Sequence, residues 1–305
     1  MRAALTRSHR PGRSGTIATQ VSREIRAIQV AIACAVIGAA IKLVAGVATG
    51  SMTMISSAVD SVGDLAVSLV NLFVVRFSQR EPDDAHNYGH AKIEGLGAMF
   101  EGGFIFAAGG FIIYEAIHKA IIGEVSHDSR LGVIVMLPIL AMTVATVSYL
   151  RRVAKLTGSL VIKADAAHYA TDVYVNLGVL VALALVWITG EPLCDTVTSI
   201  AIAVYMLWSS VHIVREGFDV VMDHSLDKET VERATRVLAS CTAIESFHEL
   251  KTRSGKIPHV DFHVVVRPDM TAREVHDLYL SLREQVRAIV GPATKVLMHA
   301  DPANR

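Results

Sequence analysis

The sequence predicts a membrane α-helical protein, a six-transmembrane-helix bundle followed by a small cytoplasmic α+β domain. Three observations carry that prediction. The 305 residues are 52% hydrophobic with a mean hydropathy of +0.43, too apolar for a soluble chain of this length. Six apolar segments, near 27–49, 52–78, 93–121, 131–151, 161–189 and 194–214, are each long enough to cross a bilayer. After about Glu216 the chain turns mixed and charged, as soluble domains are. Lipid offers no partner to exposed backbone groups, so long apolar runs are expected as helices.

Residues 1–24 read as a disordered basic tail, with Arg2, Arg7, Arg10 and Arg13 among Ser, Gly and Pro. No short apolar core with a cleavage site follows, so a cleaved signal peptide is not expected. Residues 25–217 form the membrane domain. The formal net charge is zero, but its distribution is uneven. The tail, Arg76–Lys92, Arg151–Lys163 and everything from Arg215 on are rich in Lys and Arg. The other connections, Thr49–Ser51, Gly123–Arg130 and Thr189–Asp195, hold Glu124, Asp128, Glu191 and Asp195, with Arg130 the one clear base. The positive-inside rule places the first group, and with it both termini, in the cytoplasm.

Residues 218–305 read as the soluble domain. Asp227–Ser240 suits a helix capped by Asp227. Ser246–Arg253 and Pro258–Val266 suit strands around the turn Ser254-Gly255. Thr271–Ile289 opens with a capping box of Thr271 and Glu274, and Thr294–His299 suits a last strand. The order αββαβ fits one helical layer on one sheet.

Polar residues inside the apolar segments carry the chemistry. Asp60 and Asp64 lie four apart in the second segment and so share a helix face. Each carboxylate costs about 2.5–3.5 kcal/mol at mid-membrane, and two neighbours repel unless a cation or proton neutralises them. The fifth segment repeats the spacing with His168 and Asp172. Together the two helices present three carboxylates and one imidazole, a tetrahedral set suited to Zn²⁺ and possible for Cd²⁺ or Fe²⁺. The alternative is two unrelated polar pairs lining a water cavity. Asn71 and Asn176 on the same helices suit either support of the ligands or interhelical hydrogen bonds. Lys42 is expected to snorkel toward the outer interface. Glu101 in the third segment has no assignment from sequence.

Two further clusters stand outside the segments. Asp83, His86 and His90 have spacing that can chelate one ion, although a solvated polar loop explains them equally well. The soluble domain holds His248, His263, His276, His299 and Asp301, enough for a metal cluster. Cys34, Cys194 and Cys241 lie far apart, so neither a thiolate site nor a disulfide is expected. The chain has no P-loop, no GxGxxG and no serine nucleophile motif, so neither an enzyme nor an ATP-driven pump is expected. No cofactor and no nucleic-acid partner are expected either.

The motifs that carry a family likeness are Val59-Asp60-Ser61-Val62-Gly63-Asp64, the run Asp83–Glu94, the run Lys163–Asp172, and Met298-His299-Ala300-Asp301-Pro302. With them the chain, from about Ile25 to Pro302, resembles the cation diffusion facilitators, in particular their bacterial zinc/iron-type members. The resemblance implies a transport site at Asp60, Asp64, His168 and Asp172 and a cytoplasmic loop site at Asp83, His86 and His90. It implies a binuclear site at His248, His263, His276, His299 and Asp301, in a domain resembling a metallochaperone. It implies a homodimer in the bacterial inner membrane, and a charged pair of Lys92 and Asp223 linking the two parts near the dimer interface. Loop Arg151–Gly158 has no histidine, unlike the His-rich loop of many eukaryotic zinc members.

The expected activity is export of a divalent ion by proton antiport. Zn²⁺, or Cd²⁺ or Fe²⁺, serves as substrate and as regulatory ligand. Metal needs neutral imidazole and ionised carboxylates, so protons compete for the same atoms. A membrane-anchored metal sensor or scaffold without transport is the rival reading, and a passive channel a third.

Overall fold

The computed structural model describes residues 14–49, 52–122, 130–189 and 193–303. The tail residues 1–13 and the expected outer connections at 50–51, 123–129 and 190–192 lie outside the described residues. The chain divides into two compact units, Met1–Gly217 and Phe218–Arg305.

Six long helices make the first unit: α1 (Ser14–Thr49), α2 (Met52–Ser78), α3 (Ile93–Ile122), α4 (Arg130–Thr157), α5 (Leu160–Thr189) and α6 (Leu193–Val221). Five of them are long and apolar enough to cross a membrane, and α5 is of the same length. This is a multi-pass membrane protein with the helical architecture read from the sequence.

Three helices run further than their apolar segments. α1 begins at Ser14, inside the stretch read as a disordered tail. α4 continues to Thr157, and α6 to Val221. Hydropathy marks the apolar length of a helix and not its ends. Glu24, at the start of the first span, is fully buried and accepts a hydrogen bond from Gln79 at 2.7 Å.

Small residues let the helices approach closely. One interior cluster joins Ala27, Ile28 and Ala31 of α1 to Val75 of α2, Leu150 of α4 and Ile162 of α5. A second joins Ala98 and Ile105 of α3 to Ala164 of α5 and Met206 of α6. At Gly97 an added Cβ would meet Val74 of α2 and Val161 of α5, both at 2.9 Å. Only glycine allows α3 to lie this near both neighbours, and it sets the height of Glu101 one turn later.

The second unit follows the αββαβ order: α7 (Lys228–Ala239), β1 (Ser246–Arg253), β2 (His259–Val266), α8 (Ala272–Val290) and β3 (Lys295–Pro302). The sheet order is β1-β2-β3, with β1 antiparallel and β3 parallel to β2. Asp227 caps α7, its side chain accepting from the Thr230 amide at 2.9 Å. Thr271 and Glu274 form the full capping box at α8. Strand β2 alternates strictly, burying Val260, Phe262, Val264 and Val266. Leu238 of α7 and Leu278, Leu282 and Val286 of α8 pack on that face. The histidines of β2 therefore point to the other face of the sheet.

Candidate metal centres

The described ligands of the membrane unit come from α2 and α5. Asp64, His168 and Asp172 bring one ligand atom each within 4.8 Å of one another. His168 Nε2 lies 3.2 Å from Asp64 Oδ1. On α5, His168 and Asp172 are one turn apart and share a face. Asp60 stands one turn before Asp64 on α2, but its side chain lies outside the described residues.

The scaffold fixes the imidazole. Tyr169, next to it, donates its phenol to the Ala31 carbonyl of α1 at 2.9 Å and lies 3.1 Å from Ser68 Oγ of α2. Phe104 of α3 packs edge-on against the His168 ring, with centroids 5.6 Å apart. The three ligands line a cavity of about 490 Å³ whose walls also include Lys42, Ser61, Phe104 and Asn176.

Lys42 corrects its sequence reading. It is buried and donates to Ser61 Oγ at 2.9 Å, so it does not snorkel outward. Apolar context alone pointed it to the interface, but the cavity offers it a hydroxyl and carboxylates. Asn71 makes interhelical hydrogen bonds, to Glu101 and to Asp165, and Glu101 faces the bundle interior. Sequence reasoning did not single out Asp165 or Glu94 as polar groups of the interior. Glu94 is buried and accepts from Ser78 and Ser159, both at 2.8 Å, tying α2 and the start of α5 to α3. The available signal for Asp165 was its place one turn before His168 on the same helix.

The loop cluster also converges. Asp83, His86 and His90 hold ligand atoms within 4.8 Å of one another. His86 Nδ1 lies 3.1 Å from Asp83 Oδ1, and His90 Nε2 lies 3.3 Å from Asp83 Oδ2. The His86 amide donates to Asp83 Oδ1 at 2.6 Å. That backbone hydrogen bond holds the Asp83 carboxyl below its ordinary range.

The third cluster is a product of strand register. His248 of β1 is paired with His263 of β2, and His263 with His299 of β3. Paired residues share a sheet face, so three imidazoles stand in a row across three strands. Ring centroids are 5.2 Å and 4.8 Å apart along that row. Asp301, two residues after His299, points the same way. Its carboxylate lies 3.5 Å from His248, 3.3 Å from His263 and 3.2 Å from His299. Just past His248, Glu249 adopts a positive φ of 52° in a register shift, which lets the next pairing resume at Lys251. His276 is not brought to this group. It stands on α8, beside Tyr279, and α8 covers the opposite face of the sheet. Asp223, which the resemblance pairs with Lys92, has Arg253 at 3.5 Å within its own unit.

The fold and sites define a multi-pass helical membrane protein with an α+β C-terminal domain and, among the described residues, three groups of potential metal ligands. The model of the cation efflux transmembrane domain matches residues 28–222, and that of the cation efflux protein, cytoplasmic domain, matches residues 226–303. The cation-efflux pump FieF of Serratia proteamaculans is 33% identical over 265 residues, covering 87% of this chain and 88% of that one. The protein of the same name from Pectobacterium atrosepticum is 32% identical over 257 residues, covering 84% and 85%. That of Yersinia pestis is 33% identical over 268 residues, covering 87% and 88%. The chain belongs to the cation efflux, or cation diffusion facilitator, family.

Proposed function

We propose that this chain exports divalent, zinc-like metal ions in exchange for protons. It works as a homodimer in a bacterial inner membrane, with both termini cytoplasmic. The observation that carries the reading is the convergence of Asp64 of α2 and His168 and Asp172 of α5 on one cavity inside the helical bundle. Such a set costs stability in an apolar bundle and is explained by an ion that neutralises it. The relatives' printed name, cation-efflux pump, supports the direction of transport. The cytoplasmic-domain match supports placing the soluble unit on the inner side.

Asp60 completes the transport set as its fourth ligand. One imidazole among carboxylates favours Zn²⁺, with Cd²⁺ and Fe²⁺ next, over Mn²⁺ and Mg²⁺, which prefer oxygen alone. Protons compete for every one of these ligand atoms. A site opened to a more acidic exterior therefore exchanges metal for protons, and one opened to the cytoplasm does the reverse. Asp83, His86 and His90 take metal at the loop. His248, His263, His299 and Asp301 sense cytoplasmic metal and bias the transport cycle by linkage.

Uptake by proteoliposomes tests the reading, with Zn²⁺, Cd²⁺, Fe²⁺ and Mn²⁺ in turn, with and without a pH gradient. Zinc flux that rises with the gradient is the expected result. Flux indifferent to the gradient would make the protein a channel, and absent flux a membrane-anchored sensor.

A further inference from the structure

The membrane unit buries a second polar cluster that the proposed ligands leave unused. Asn71 of α2, Glu101 of α3 and Asp165 of α5 are all fully buried. The Asn71 amide nitrogen donates to Glu101 Oε2 at 3.2 Å and to Asp165 Oδ1 at 3.1 Å. One amide nitrogen thus bonds both carboxyls and holds them side by side. Glu101 Oε1, Asp165 Oδ2 and Asn71 Oδ1 are buried without a partner among the described residues.

Two ionised carboxylates side by side and away from water repel each other, and two amide N–H bonds do not offset two charges. No lysine or arginine pairs with either carboxyl among the described residues. A metal ion needs room and several more ligands. Yet none of the three side chains lines the cavity on which the transport ligands open. A proton needs only two facing oxygens, as in carboxyl pairs that share one. We propose that Glu101 and Asp165 jointly hold one proton, in a site separate from the metal ligands. That proton is given up when the transport site fills.

The coupling follows from position. Asp165 precedes His168 by three residues on α5, about 4.5 Å along the axis. The charged and titratable groups acting on the pair are His168, Asp64 and Asp172 at the transport site, and the Tyr169 phenol. A divalent charge on those ligands favours the doubly ionised pair, because unlike charges attract across a medium of low dielectric. The shared proton then leaves to water as the metal arrives. The pair recovers a proton when the metal departs. Each metal therefore displaces the protons of its ligands and one more. This rests on Asp64, His168 and Asp172 holding the transported metal.

The test is proton release on zinc binding. Zinc chloride is titrated into the purified full chain in dilute buffer with a pH-indicator dye, and bound zinc is counted by equilibrium dialysis. The variants are Glu101→Gln, Asp165→Asn and, as a control, Asp172→Ala. Glu101→Gln should bind as much zinc as wild type and release about one proton fewer per zinc at the transport site, since coupled groups titrate as a pair. Asp165→Asn, which keeps the shape by the other partner, should do the same and serves if the first variant does not fold. An unchanged proton count in a folded variant overturns the proposal. Loss of zinc from the transport site in either variant also overturns it, since the pair would then be a metal ligand. Wild-type zinc binding by Asp172→Ala instead removes the transport-site reading, a failure separate from the other two.

Discussion

At the residue scale, the proposed transport set was legible as two pairs one helical turn apart in apolar segments, and Asp64, His168 and Asp172 of that set converge. A lone polar residue gives no such signal. Glu101 sits alone in α3, and only tertiary packing shows that it meets Asn71 and Asp165 and not lipid. Lys42 failed for the same reason, since its partner Ser61 lies on another helix. Asp172→Ala should abolish zinc flux in proteoliposomes while leaving a folded protein, because nothing near it replaces the ligand; wild-type flux would end its assignment. Asp83 allows a pH prediction. Its carboxyl is held below its ordinary range, so it stays ionised as the pH falls through 6 and 5. Zinc lost from the proposed loop site on mild acidification should therefore not come from protonation of Asp83. Asp83→Asn should weaken zinc binding at the loop, read by equilibrium dialysis. Wild-type affinity in Asp83→Asn would remove that carboxyl from the proposed site.

At the scale of elements, the soluble unit was the more readable half. Its strands alternate at period two, and its helices carry caps made by neighbouring residues, so both are local signals. Strand β1 falls where the sequence placed it, and β2 within a residue of that. The membrane helices were legible in number and in their apolar length. Their ends were not, because α1, α4 and α6 run past the hydrophobic stretch. Which histidines meet was half legible. The spacing of His299 and Asp301 places both on one strand face, but the row across β1, β2 and β3 depends on a register that no local pattern supplies. His276 was grouped with the others by residue type, and the helical layer keeps it from them. The capping box gives a stability prediction. Thr271→Ala should destabilise the unit Phe218–Arg305 by about 1 kcal/mol, read as a lower midpoint in urea. The box holds the Glu274 carboxyl below its ordinary range. That part of its contribution is complete above the unfolded carboxyl value, about 4.3, and lost as the pH falls through the folded one. If Thr271→Ala leaves the midpoint where it was, the cap adds nothing to the folded unit.

At the scale of the whole molecule, two compact units carry separate ligand sets, and that separation predicts how their defects differ. The soluble unit has its own buried core of Leu238, Phe262 and Leu282, so replacing a side chain on its open face should not disturb the membrane bundle. His263 is central in the imidazole row, between His248 and His299. His263→Ala removes a ligand from that row and leaves Asp64, His168 and Asp172 intact. Linkage sets the size of the effect: coupling between two sites is worth typically 1–3 kcal/mol, or about 5–150-fold in affinity. Zinc transport by His263→Ala should therefore persist, with half-saturation on the cytoplasmic side shifted to higher zinc by a factor in that range. Its dependence on the pH gradient should match wild type, since the groups proposed to exchange protons lie in the other unit. Zinc flux measured against zinc concentration, at two values of the gradient, separates the cases. A curve that overlays wild type would mean that the soluble cluster does not regulate transport. Flux lost altogether, in a folded protein that still binds zinc at Asp172, would mean that the cluster is an obligatory station on the path of the ion.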